Sequence, residues 1–242
     1  MMKRKRIGHV ATYPGRKNNL PVMLESIAPQ LDELCVVLNE YGGRQRRQLP
    51  QYPNVRYVVP DGDLKDTGKF LEPRTADEYV FLLDDDLEFP ADYVATLIDC
   101  YEQLPTERVV VGLHGVVYSD LFEGAAGSRF VAKFDKALER PLLVNQLGSG
   151  CAMTRGDLLP PMAYMRTSQR FVDVRFARYC HENDIGMVCL PRPDQWVRDL
   201  QPEESIFETY TRVHHGEQLG EILAFGGFGK LNARLALAVE QS

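Results

Sequence analysis

Glu78-Tyr79-Val80-Phe81-Leu82-Leu83-Asp84-Asp85-Asp86 runs an apolar stretch of strand length straight into three adjacent carboxylates. A short, nearly continuous apolar run of this kind suits a strand covered on both faces. In open α/β sheets ligands bind beyond the carboxyl ends of the strands, which is where these acids fall. Two carboxylates about 4 Å apart repel by roughly 4 kcal/mol at an effective dielectric near 20, so a cation is expected among them. Oxygen donors of this hardness favour Mg2+ or Mn2+, with substrate phosphates and water completing the shell. Strict alternation along an extended segment points Asp84 and Asp86 to one side and Asp85 away. The alternative reading is a solvated acidic turn.

Outward from this stretch, strand-like and helix-like runs alternate, which predicts an α/β fold with a mostly parallel sheet flanked by helices. His9 to Tyr13 completes a first strand and Pro14-Gly15-Arg16 breaks it. Asn18 or Asn19 then caps a helix whose Leu20, Met23, Leu24 and Ile27 share one face. Strands follow at Leu34 to Leu38, Asn54 to Val59 and Arg108 to Leu113, with a helix through Tyr93, Leu97 and Tyr101. On this reading the sheet is complete by about residue 115. Residues 115 to 150 form an insertion over its open end, with a Gly-rich loop at Gly124 to Ser128. Phe171 to Glu182 reads as a helix, Met187 to Leu190 as a strand, Pro191 to Pro202 as a loop and residues 201 to 242 as a helical tail. A single domain over 1 to 242 is expected.

A formal charge of -6 with 26% charged residues describes an acidic globule and argues against nucleic acid as partner. No apolar run approaches the about eighteen residues that would span a bilayer, and no signal-type core follows the start, so a cytoplasmic location is the simplest expectation. Met1-Met2-Lys3-Arg4-Lys5-Arg6 suits either a solvated lead-in or contact with the anionic inner face of a membrane. The five scattered cysteines match neither a disulfide framework nor a zinc knuckle. The apolar tail leaves a homo-oligomer contact open.

Leu83-Asp84-Asp85-Asp86 after an apolar strand resembles the DxD motif of GT-A glycosyltransferases. Val10 to Arg16, Leu24 to Asn39, Asp63 to Phe70 and Leu147 to Gly150 resemble segments of bacterial family 2 transferases, so the likeness covers about residues 7 to 200. It implies a Rossmann-like GT-A fold with a nucleotide-binding half (1 to 115), an acceptor-side half (116 to 200) and a C-terminal tail. The implied activity is sugar transfer from a nucleotide-diphosphate sugar, a UDP-sugar in preference, to a hydroxyl of a glycan or lipid-linked acceptor, as in polysaccharide biosynthesis. The same likeness places Thr12, Tyr13, Pro14, Arg16, Asn39 and Glu40 around base and ribose, and the loop with Asp66 and Lys69 beside the nucleotide or the diphosphate, against which stands the reading of a solvated loop. Asp84 and Asp85 fall near the donor, and Asp84 and Asp86 on the metal. The small residues from Leu147 to Cys151, Gly150 among them, suit either backbone passing close to a sugar or a simple turn. Some relatives add a C-terminal histidine ligand, here His214 or His215, against which stands the reading of an exposed histidine pair.

An inverting transfer needs a carboxylate to accept the proton of the attacking hydroxyl. By resemblance that is Asp173, at the start of a helix; the alternative is an acid that merely favours the helix dipole. Trp196 suits either stacking on an acceptor sugar or packing. A sugar nucleotidyltransferase is the nearest enzymatic rival, although Tyr13-Pro14-Gly15-Arg16 lacks its glycine-rich opening. A noncatalytic sugar-nucleotide or glycan-binding module is the rival of another class. Gly226-Gly227-Phe228-Gly229-Lys230 departs from a P-loop in both its first glycine and its closing Ser or Thr.

Overall fold

The computed structural model describes residues 4–120, 129–200 and 215–227. Its framework is an eight-stranded mixed sheet. Strand β1 (Lys5–Thr12) leads into α1 (Asn19–Ile27) and β2 (Glu33–Leu38), and after α2 (Gly43–Arg46) comes β3 (Val55–Val58). The chain then crosses to the other side of β1 to form β4 (Glu78–Leu83). These four strands are parallel, in the order β3-β2-β1-β4. The sheet therefore has a switch point between β1 and β4, where outgoing loops diverge and leave a crevice.

Both faces of the sheet are covered, which is why its strands read as near-continuous apolar runs. Along β4, Tyr79, Phe81 and Leu83 pack on the face that carries Leu20, Met23, Leu24 and Ile27 of α1. Val80 and Leu82 face the opposite layer. After the short β5 (Leu87–Glu88), α3 (Tyr93–Glu102) joins the first face through Tyr93, Leu97 and Tyr101.

The expectation that the sheet is complete by residue 115 is corrected. Beyond β6 (Val109–Gly112) the chain forms β7 (Gly115–Tyr118), β8 (Arg129–Ala132), β9 (Leu142–Leu143) and β10 (Gln146–Leu147). It then returns as β11 (Cys151–Arg155), wedged antiparallel between β4 and β6. Cys-Ala-Met-Thr-Arg carries only one β-branched residue and follows Gly148-Ser149-Gly150, so it gave little strand signal. Tertiary pairing with both neighbours overrides that weakness. Strands β10, β7 and β8 form a separate three-stranded sheet, in part the expected insertion, whereas β9 joins the edge of the large one.

After the one-turn α4 (Met162–Met165), α5 (Val172–Glu182) buries Phe176, Ala177 and Cys180 against the second face. Strand β12 (Gly186–Cys189) pairs with β6 and β9, while β13 (Arg198–Asp199) pairs with β5. Trp196, partly exposed, packs on the core with its ring 5.9 Å from that of Tyr93. Arg4 and Arg6 of the basic opening are engaged by Glu107 at 2.8 Å and Asp32 at 2.6 Å. Among the described residues no helix is long and apolar enough to cross a membrane.

Of the tail, α6 (His215–Phe225) is described, and it lies along α5 with Ile222 and Phe225 buried. Arg175 pairs with Glu221 at 2.7 Å across the two helices. Asn145, with no exposed surface, accepts the Tyr118 N–H at 2.9 Å through Oδ1 and donates through Nδ2 to the Gly227 carbonyl at 2.9 Å. Asn145→Ala strands a buried N–H and a buried carbonyl, each worth about 1–3 kcal/mol. Urea unfolding of this variant is expected to show a loss of that order with an unchanged m-value.

Candidate functional site

A cavity of about 470 Å³ opens at the carboxyl ends of β1, β2 and β4. Thr12, Tyr13 and Arg16 enter from the end of β1, Asn39 and Glu40 from β2, and all three aspartates from β4. Asp66 and Lys69 come from a 3₁₀ turn, Lys65–Phe70, and Asp173 comes from the first turn of α5. Of the residues expected at the site, Gly150 sits behind Asp84 without lining the cavity, and Pro14 stands apart, lining a smaller neighbouring cavity with Lys17 and Tyr41. Its ring begins the 3₁₀ turn Pro14–Arg16 and faces outward, while that turn swings Arg16 inward. His214 lies outside the described residues, as does the side chain of His215.

The expected alternation of the aspartates fails because the extended backbone ends at Leu83 and the acids follow it in a turn. Asp84 is held by Lys69, whose side chain is only 3% exposed, and the Asp84 N–H donates to the Gly150 carbonyl at 2.9 Å. Asp85 and Asp86 share Arg16 instead: Nε lies 3.6 Å from Asp85 Oδ1, and Nη2 lies 3.2 Å from Asp86 Oδ2. Burial pushes the Asp85 carboxyl up to about 7. Burial and the neighbouring charge of Asp84 raise Asp86 to about 6. Two protein cations thus hold three crowded acids, and the crowding is only partly relieved.

Gly150 serves by having no side chain, because a Cβ there would run into the Asp84 carboxylate. Asn39 is committed to shape: its Nδ2 donates to the Lys65 carbonyl at 2.9 Å and its Oδ1 accepts the Leu64 N–H at 3.0 Å. Lys69 is fixed from behind by His9, whose Nδ1 meets the Lys69 carbonyl at 2.7 Å while Arg74 Nε donates to His9 Nε2 at 2.8 Å. A ring that accepts at Nε2 carries its proton on Nδ1. Burial and the Arg74 charge lower this histidine to about 4, so it stays neutral.

Asp173 Oδ1 accepts two hydrogen bonds from Ser149, from the backbone N–H at 2.8 Å and from Oγ at 2.6 Å. Ser149 escaped the sequence reading, although it sits in the small-residue run Gly148-Ser149-Gly150. Arg170 escaped as well, with no local signal to mark it. Its N–H donates at 2.8 Å to Asp66 Oδ1, which ties the loop before α5 to the 3₁₀ turn across the cavity. Glu40, Lys65 and Arg170 all line the cavity with φ of 58°, 50° and 72°. They make up three of the five non-glycine residues in left-handed backbone among those described. Such strain persists where the surroundings enforce it, and it gathers at functional sites. Gln146, Tyr118 and Arg129 with Gln218 and Ile222 of α6 close the side beyond Asp173.

No family model and no curated protein matches the sequence. Solved structures do match in fold. The chain superposes on S. aureus TarS 1–349 in complex with UDP-GlcNAc with a TM-score of 0.52 at 13% identity, covering 85% of this chain and 61% of that one. It also aligns with 4-diphosphocytidyl-2C-methyl-D-erythritol synthase over 88% of its length at 12% identity, with a TM-score of 0.47. The chain has a GT-A glycosyltransferase-like fold, a large mostly parallel sheet flanked by helices. It spans about three fifths of the TarS chain that it matches.

Burial pushes Asp66 up to about 6, opposed by the Arg170 N–H. Because the folded state holds this proton more tightly than the unfolded chain, the group's contribution is greatest below about pH 4 and is lost as pH rises through about 6. Asp66→Asn removes that titration. Stability measured by urea unfolding at pH 4.5 and 7.5 is expected to shift in favour of the variant, relative to wild type, at the higher pH.

Proposed function

We propose that this chain transfers a sugar, with inversion, from a nucleotide-diphosphate sugar, UDP-linked in preference, to a hydroxyl of a glycan or lipid-linked acceptor. One observation carries the reading: the acids after β4 and a separately held carboxylate, Asp173, face one cavity at the switch point of a GT-A-like sheet. Thr12 and Tyr13 at the end of β1 and Glu40 at the end of β2 would receive base and ribose, beside the Leu64–Lys65 segment that Asn39 holds. The diphosphate would lie over Asp84 to Asp86.

The chemistry of the donor set fits Mg2+ or Mn2+. Asp84 keeps 45% of its side chain exposed and Asp86 21%, and Asp85 Oδ2 is buried without a hydrogen-bond partner. No three His, Cys, Asp or Glu side chains among the described residues converge into a ready cage, so substrate phosphates and water would have to complete the shell of an ion held there. Asp84 and Asp86 would hold such an ion, which when bound neutralises charge on the departing nucleoside diphosphate. Asp173 does the proton chemistry. Ser149 occupies its Oδ1, so Oδ2 takes the proton of the acceptor hydroxyl as that oxygen attacks the anomeric carbon from the face opposite the diphosphate.

Calorimetry with UDP-sugars and other nucleotide sugars, with and without Mn2+, tests the donor site. Metal-dependent binding that disappears in Asp84→Asn/Asp86→Asn is the expected result; no binding to the folded wild type under either condition overturns it. Asp173→Asn is expected to retain donor binding and to lose about 10²–10⁴-fold in transfer, the usual contribution of a general base. The anomeric configuration of the product, read by NMR, tests inversion. Release of pyrophosphate from a nucleoside triphosphate and sugar phosphate would instead identify a nucleotidyltransferase, and donor binding without turnover a noncatalytic module.

A further inference from the structure

The cation that holds Asp85 and Asp86 is itself poorly satisfied. Arg16 is 6% exposed and lines the cavity, yet its Nε and Nη1 have no hydrogen-bond partner. Its ion pair with Asp85 spans 3.6 Å, too long for a hydrogen bond. A guanidinium offers five N–H donors in a planar fork suited to carboxylate or phosphate, and buried donors left unmade are costly. Arg16 therefore satisfies the aspartates' charge without satisfying its own donors.

Lys69 differs. It is enclosed from behind, its carbonyl is gripped by His9 and its ammonium also donates to the Ser149 carbonyl at 3.3 Å, so it is built in as a permanent partner of Asp84. Arg16 ends the turn Pro14–Arg16, where its N–H bonds the Tyr13 carbonyl at 3.0 Å, and its long side chain reaches the acids over the Tyr13 ring. The backbone of this residue is anchored while its guanidinium meets the acids only by charge.

We propose that Arg16 is an exchangeable counter-cation: it neutralises Asp86 in the empty site, gives up that carboxylate to the incoming divalent ion, and turns its unpaired donors to the donor's diphosphate. This deepens the metal and donor reading above and rests on it. The chemical class recognised by the released guanidinium is a phosphate oxygen, for which a planar fork is well matched. The exchange keeps the acids compensated both before and after the metal arrives, so the cavity need not hold bare buried carboxylates in either state.

An exchange device has a signature that a merely structural residue lacks, namely effects of opposite sign on two ligands. In Arg16→Gln, Mn2+ alone, followed by electron paramagnetic resonance, is expected to bind at least about tenfold tighter because a competing charge is gone. UDP binding to the Mn2+-loaded variant, followed by calorimetry, is expected to weaken by at least about tenfold because a charge-assisted phosphate contact is gone. Arg16→Gln/Asp85→Asn, which removes the cation together with its buried anion, should show the same pair of shifts and covers the case in which the single variant does not melt cooperatively. If both affinities fall together, or neither moves, in a folded variant, Arg16 is a fixed structural partner and the proposal is overturned. If wild type and variants alike bind no Mn2+, the metal reading itself fails and the exchange with it; UDP binding by metal-free wild type would then show that the donor site survives without a metal.

Discussion

Three carboxylates must stay side by side at the end of a buried strand, and much of the surrounding structure follows from that one electrostatic constraint. Water reaches little of Asp85, and Asp84 and Asp86 are only partly open to it, so much of the compensation comes from within the fold. Lys69 and Arg16 provide it from two different strands' loops. Each cation then needs its own support. His9 and Arg74 sit behind Lys69, and the tight turn from Tyr13 to Arg16 stands behind the guanidinium. Gly150 leaves room for Asp84, and its carbonyl receives the Asp84 N–H.

The same constraint joins the two halves of the molecule. Strand β11 returns to pair with β4, which brings Gly148-Ser149-Gly150 against the aspartates and at the same time sets Ser149 to hold Asp173. A carboxylate that belongs to α5 is thereby brought into the cavity built by β1, β2 and β4. Asp66 and Arg170 make a second tie across the opening, with Arg170 in strained backbone that the assembled fold maintains. Helix α6 then walls the far side, fixed by the Arg175–Glu221 pair and by the buried Asn145 amide. A site assembled from so many separate elements depends on the packing of the whole sheet, not on one rigid loop.

Much of the fold was legible along the chain because its signals are local. The period of Leu20, Met23, Leu24 and Ile27 marked α1, and the apolar run into Asp84 marked β4 and its exposed end. Turn chemistry at Pro14-Gly15 marked the loop that carries Tyr13 and Arg16. Strand β11 was not legible, since a strand of Cys, Ala, Met and Thr is made by its neighbours more than by its own propensity. Nor did composition single out His9, Ser149 or Arg170, whose roles lie in contacts between residues 60, 24 and 104 positions apart.

What the sequence by itself determined is therefore the alternation of strand and helix and the placing of a carboxylate cluster at a strand's carboxyl end, because short-range periodicity and steric breaks act within a few residues. Only the tertiary structure decided which acid faces which cation, how Asn39 and Pro14 are used, and which oxygen of Asp173 stays available. Those outcomes depend on the turn after Leu83 and on desolvation by distant elements, and the balance between burial and charge exists only once the chain has closed around it.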